Sequence, residues 1–140
     1  MTAIATLSTT TNHTARMKGV GAVLAGIVAT AAATTLTDVV LHASAVFPPW
    51  GEAMAGSLYG LALAYRTGFG IGGGYVTARL APNRPSAHVV ILGIVGTLLS
   101  IAGAVATWNG GVAYGPKWYA LALVATALPS VWVGGRLARR

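Results

Sequence analysis

HVVILGIVGTLLSIAGAVAT, residues 88–107, is twenty residues without one Asp, Glu, Lys or Arg. A predominantly apolar helix of about 20 residues is what the ~30 Å hydrocarbon core of a bilayer requires. Working outward, three more apolar segments appear: 19–47, a second that begins after Glu52 and continues to 80, and 118–137. Pro48-Pro49, Ala81-Pro82-Asn83-Arg84-Pro85, and Asn109-Gly110-Gly111 through Pro116 separate them. Clusters of proline and glycine punctuate helices. Lipid offers the backbone no hydrogen-bond partners, so each segment must satisfy itself as a helix. The pattern predicts an all-α polytopic membrane protein, with a bundle of four transmembrane helices over residues 18–140. Residues 1–17 are polar and threonine-rich, and read as a disordered cytoplasmic tail.

Composition supports the membrane class. The chain is 55% hydrophobic and only 8% charged, against about a quarter charged in soluble domains. Its mean hydropathy is +0.70. It has no cysteine, which excludes disulfides, thiolate metal sites and thiol nucleophiles. A net charge of +7 does not point to nucleic acid, because the cations flank apolar segments and acids are scarce. Lipid is the expected partner. One competing reading concerns the first segment, whose basic start and Ala29-Thr30-Ala31 resemble a secretory signal and its cleavage site. The apolar run continues to Phe47, further than a removable signal needs.

Arg16, Lys18, Arg79, Arg84, Arg136, Arg139 and Arg140 fall on one side of the predicted bundle, and only Lys117 on the other. The positive-inside rule then predicts that both termini are cytoplasmic. Trp50, Trp108, Tyr114, Trp118 and Tyr119 fall at the outer boundary, as an interfacial aromatic belt does. Trp132 is the exception.

The second segment has two faces. Gly56, Gly60, Ala64, Gly68 and Gly72 recur every four residues and form a ridge that lets another helix approach closely. Its partner is either a helix of this chain or a second copy. Opposite, Glu52, Tyr59, Arg66, Gly70 and Thr77 form one stripe at 100° per residue. The first segment carries a matching stripe, Gly26, Thr30, Thr34, Asp38 and His42. Asp38 and Glu52 are the two acidic residues of the chain. At 1.5 Å per residue, Asp38 lies about 30 Å above Lys18 and Arg66 about 20 Å above Arg79. A long side chain reaching outward closes that difference. Hence the expectation of an Asp38–Arg66 ion pair in the outer half of the bundle, with His42 and Glu52 nearer the mouth. Ionisable groups at such depth are functional candidates, but a buried pair also serves to fix the register of two helices.

Other features carry less. Asp38, His42 and Glu52 include metal-ligand types, but a helical pair plus a loop carboxylate is a common coincidence, so neither metal nor cofactor is expected. Gly68-Phe69-Gly70-Ile71-Gly72-Gly73 fits G-x-G-x-x-G, yet lies inside a spanning segment rather than between a strand and a helix. Pro129 interrupts the fourth segment and predicts a kink. No serine, histidine and acid fall in a catalytic arrangement, and the chain does not read as an enzyme.

Leu41-His42 through Pro48-Pro49-Trp50-Gly51, Tyr65-Arg66-Thr67, Gly73-Gly74-Tyr75 and Thr77-Ala78-Arg79-Leu80-Ala81-Pro82 together resemble a group of small four-helix integral membrane proteins of bacteria. The resemblance covers about residues 18 to 138. It implies a multi-pass protein of the bacterial inner membrane and brings no activity. In size the chain is also similar to small multidrug-resistance exporters, but those carry a glutamate within the first helix where this chain has Asp38 near the outer end. The leading expectation is a structural or accessory bundle that associates through the glycine ridge with a second copy or another membrane protein. The alternative is a small transporter or channel for protons or a small anion, using an outward-facing Asp38/His42/Glu52/Arg66 cluster.

Overall fold

The computed structural model describes residues 2–140, with side chains from Thr14 onward other than Val112. It is all-α. Helix α1 spans Thr2–Ala43, α2 Gly56–Leu80, α3 Pro85–Thr107 and α4 Lys117–Leu137, with a single 3-10 turn at Val112–Tyr114. The stretch expected as a disordered tail is helical from Thr2 within α1. Extending an existing helix needs one residue fixed per bond gained, whereas starting one is costly.

The helices stop where the sequence supplies stops. Arg84 adopts a left-handed backbone, with φ 46° and ψ 60°, and Pro85 opens α3. Proline suits that first position because its missing N–H would have no partner there and its φ is already helical. This lets α2 and α3 reverse direction within Ala81-Pro82-Asn83-Arg84. Pro129 lies inside α4, which continues as helix to Leu137. It removes one backbone bond, and hydroxyls on both sides bond to nearby carbonyls: Thr126 to Ala122 at 2.8 Å and Ser130 to Ala127 at 2.9 Å.

Helix α2 is the hub, packing against α1, α3 and α4, while α3 also touches α1 and α4. Thr77 Oγ1 donates to the Ala22 carbonyl at 3.2 Å, and Gly19 lies beside His88 and Gly135 beside Val89. These contacts gather the start of α1, the end of α2, the start of α3 and the end of α4 at one end of the bundle. There Val23, Ala78, Val89, Leu92 and Val131 form the apolar core.

Close crossings are made by glycine. A Cβ at Gly74 would strike the backbone of Val131, and one at Gly134 the backbone of Ile71. These two sites set α2 against α4. At the α1–α2 crossing, a Cβ on Gly26 would lie 2.8 Å from the Gly73 carbonyl oxygen, and one on Gly73 2.9 Å from that of Gly26. Such approach gains van der Waals contact where lipid supplies no hydrophobic drive. The ridge read from the sequence is not this surface. Gly56, Gly60, Ala64, Gly68 and Gly72 are all exposed, and a Cβ on any of the four glycines would meet nothing within 4 Å. Of the two partners considered for the ridge, a helix of this chain does not fill the place.

The exterior is apolar. Val28, Leu36, Leu98 and Val105 are each 60% exposed or more. Large exposed apolar area of this kind is rare in soluble monomers. Residues Thr14–Ala43 of α1, α3 and α4 are long and apolar enough to cross a membrane. Helix α2 falls outside that set because its inward face carries Tyr65, Arg66, Thr67 and Thr77, and glycine occupies much of the rest.

Candidate functional site

The end of the bundle opposite the apolar core holds a pocket of about 170 Å³. Asp38, His42, Glu52 and Arg66 all line it, together with Trp50, Tyr59, Tyr65 and Tyr119. The antiparallel register of α1 and α2 brings this about. Along α1, Gly26 meets Gly73, one turn later Thr30 Oγ1 donates to the Phe69 carbonyl at 3.2 Å, and two turns beyond that Asp38 meets Tyr65 and Arg66.

Asp38 is gripped from two sides. Arg66 Nη2 donates to Oδ2 at 2.6 Å, with side-chain exposures of 33% for Arg66 and 16% for Asp38. The Tyr65 hydroxyl donates to Oδ1. Both carboxylate oxygens are therefore engaged by donors from one helix, and charge-assisted bonds of this kind are the strong ones. The grip joins two residues that helical rise alone places about 10 Å apart in height. Arg66 reaches outward along α2 as a snorkelling side chain does. Its Nε is buried and has no hydrogen-bond partner.

His42 is held differently. Its Nδ1 lies 2.8 Å from the Asp38 carbonyl oxygen one turn earlier. A carbonyl only accepts, so Nδ1 carries the hydrogen and Nε2 is left as the acceptor in the neutral ring. The ring stacks on Trp50, with centroids 3.6 Å apart and planes 2° from parallel, and meets Phe47 edge-on at 5.3 Å. His42 thus anchors the loop after α1 rather than pairing with the Asp38 carboxylate. Glu52 is exposed and precedes α2, in a turn closed by its own N–H to the Pro49 carbonyl at 3.1 Å. It lines the pocket from the loop and not from the helical stripe assigned to it, because α2 begins only at Gly56. Among the described residues no group of three His, Asp or Glu side chains is arranged to hold a metal.

Three tyrosines complete the wall. Tyr59 is 5% exposed and packs on Tyr119 with centroids 5.2 Å apart. Gly115 presses on the Tyr59 ring, and its φ of 87° favours glycine. Tyr65 and Tyr119 carried no expectation as pocket residues. The signal for Tyr65 was its place beside an arginine within a long apolar segment, where a hydroxyl can share the counter-ion. Nearer the rim, Lys117 sits over the Trp108 ring at 4.8 Å. Trp132, the aromatic outside the expected belt, stacks under Arg136 at 4.1 Å near the other end.

No protein-family model, curated protein or solved structure matches the chain. The protein is an all-α chain of four helices, three of them long and apolar enough to cross a membrane.

Proposed function

We propose that this is a structural or accessory protein of the bacterial inner membrane that associates, through the ridge of α2, with a second copy or with another membrane protein. In this reading all four helices span the bilayer. Helix α2 has 25 residues, a rise of about 38 Å, and neighbours on three sides shelter its polar face. Both termini are cytoplasmic, since the end of the bundle with the apolar core carries seven of the nine cations.

The observation that carries the reading is the open space beside Gly56, Gly60, Gly68 and Gly72. A glycine in a helix costs roughly 0.8–1.0 kcal/mol relative to alanine. Four on one exposed face, with nothing packed there, are explained by a helix that packs there from outside. The Asp38–Arg66–Tyr65 cluster then fixes the register of α1 on α2. Gly60→Leu and Gly68→Leu test the reading by oligomer size in mild detergent. A shift to a smaller species with the fold intact supports it, and unchanged size in both variants removes it.

A second reading is favoured by one observation, the convergence of Asp38, His42, Glu52 and Arg66 on a single pocket. The protein would then pass protons or a small anion. Proteoliposome flux across pH 5 to 8, wild type against the Asp38→Leu/Arg66→Leu double variant, separates the two. Flux lost in a folded double variant selects transport, and no flux in either selects scaffolding.

A further inference from the structure

The pocket opposite the apolar core carries groups that the Asp38–Arg66–Tyr65 cluster leaves unused. Asp38 and Arg66 offset each other at 2.6 Å. Glu52, the other acid of the chain, lines the same pocket and is exposed. Its carboxylate has no hydrogen-bond or ion-pair partner among the described residues. Lys117 lies over the Trp108 ring at 4.8 Å and does not line the pocket. With His42 neutral, the wall therefore holds one unbalanced negative charge.

Its free polar atoms are suited to accept. Among the described residues, Arg66 Nε is the one buried side-chain polar atom without a partner. The hydroxyls of Tyr59 and Tyr119 and the Nε2 of His42 also lack partners there. Those three atoms are therefore open to solvent, and all three side chains line the pocket. A carboxylate only accepts, Nε2 of the neutral ring accepts, and a phenol hydroxyl does either. The rest of the wall is rich in rings, from Phe47, Trp50, Tyr59, Tyr65 and Tyr119. Ring faces attract cations. Trp50, Glu52 and Ala113, from the two connections at this end, line the pocket and are exposed. The site is thus reached from the loops.

We propose that this pocket binds a small alkylammonium ion. The ammonium brings N–H donors and the positive charge that Glu52 lacks, and its alkyl body lies against the rings. The volume of about 170 Å³ suits such an ion, since an apolar cavity of about 150 Å³ already accommodates benzene. A small anion fits poorly, because Asp38 already meets the Arg66 charge and Glu52 repels a second negative group. A neutral alcohol leaves the Glu52 charge unmet. The proposal rests on the pocket of the transport reading and gives its cargo a class, the organic cation. Binding is measured apart from flux, so either can fail without the other.

The test is isothermal titration calorimetry of the full chain in lipid nanodiscs, with empty nanodiscs as the blank. Three probes of one length are compared at pH 7: n-butylammonium, butan-1-ol and butyrate. Butylammonium should bind saturably and at least tenfold more tightly than the other two. Glu52→Gln should weaken it about tenfold, the effect of losing one hydrogen bond to a charged group. Glu52 lies in a turn outside the clasp, so an unchanged unfolding temperature is expected with it. Tyr119→Phe keeps the ring and removes the hydroxyl. It should cost about threefold, and it carries the test should Glu52→Gln not fold. Butyrate as the tightest probe would overturn the proposal and mark an anion site. So would butan-1-ol binding as tightly as butylammonium, which marks an apolar cleft only. No saturable heat with butylammonium, or an affinity unchanged in both folded variants, would overturn it as well.

Discussion

Arg66 of α2 and Asp38 of α1 are joined at 2.6 Å, while the hydroxyl of the neighbouring Tyr65 holds the other oxygen of the same carboxylate. Two consecutive residues of one helix thus clasp a single acid of another. The clasp stands at one end of a crossing whose other end is the Gly26–Gly73 contact. Both contacts lie on the faces that α1 and α2 turn toward each other.

Removing one partner leaves the other, partly buried charge unpaired. Asp38→Asn should lower stability toward the low end of the about 3–5 kcal/mol seen for broken buried pairs, because the Arg66 side chain is 33% exposed. Asp38→Leu/Arg66→Leu should recover most of it. Thermal unfolding in detergent reads both, and a double variant no more stable than Asp38→Asn would count against the clasp.

Tyr65→Phe deletes only the hydroxyl. A hydrogen bond to a charged group contributes about 1.5–3 kcal/mol, and a loss of that size is expected, smaller than for Asp38→Asn. No change in unfolding temperature would place the Tyr65 hydroxyl outside the clasp.

The glycines should divide sharply. Gly74→Ala and Gly134→Ala place a methyl on the backbone of Val131 and Ile71, and overpacking of this kind costs about 1–3 kcal/mol. Gly72→Ala meets open space and should leave the monomer unchanged or more stable by up to about 1 kcal/mol. Equal losses at Gly72 and Gly74 would contradict the packing described.

Much of this was legible in the sequence, and the reasons differ by residue. The helices were, because 20-residue apolar runs between Pro/Gly clusters admit few other readings. Asp38 and Arg66 stood out because charge is rare at that depth, and the spacing of Gly26, Thr30, Thr34 and Asp38 marked the face of α1 that meets α2. Which glycines pack inside the bundle was hidden. The four-residue repeat drew attention to Gly56 through Gly72, yet the tight crossings use Gly73, Gly74 and Gly134. Periodicity identifies a small face but not its neighbour. The adjacent pairs Gly73-Gly74 and Gly134-Gly135 were the signal available, since two glycines side by side serve neighbours on two sides. The place of Glu52 was misjudged for a related reason. A helical wheel extended past Gly56 assigns a face to a residue that sits in a turn.

Orientation can be checked because the chain has no cysteine. A cysteine replacing Gly111 should react with an impermeant maleimide on intact spheroplasts, and one replacing Asn83 only after permeabilisation. The opposite pattern would invert the bundle and place the termini outside.

The most direct measurement is cross-linking from the ridge itself. Gly60→Cys in native membranes, under mild oxidation, should form a disulfide-linked dimer, or with a short bifunctional reagent an adduct to another membrane protein. Val28→Cys, on the lipid-facing surface of α1, should form neither. Adducts at position 60 and none at 28 are the predicted result. A Gly60→Cys protein that stays monomeric under both treatments, or that cross-links no more than Val28→Cys, would contradict association through α2.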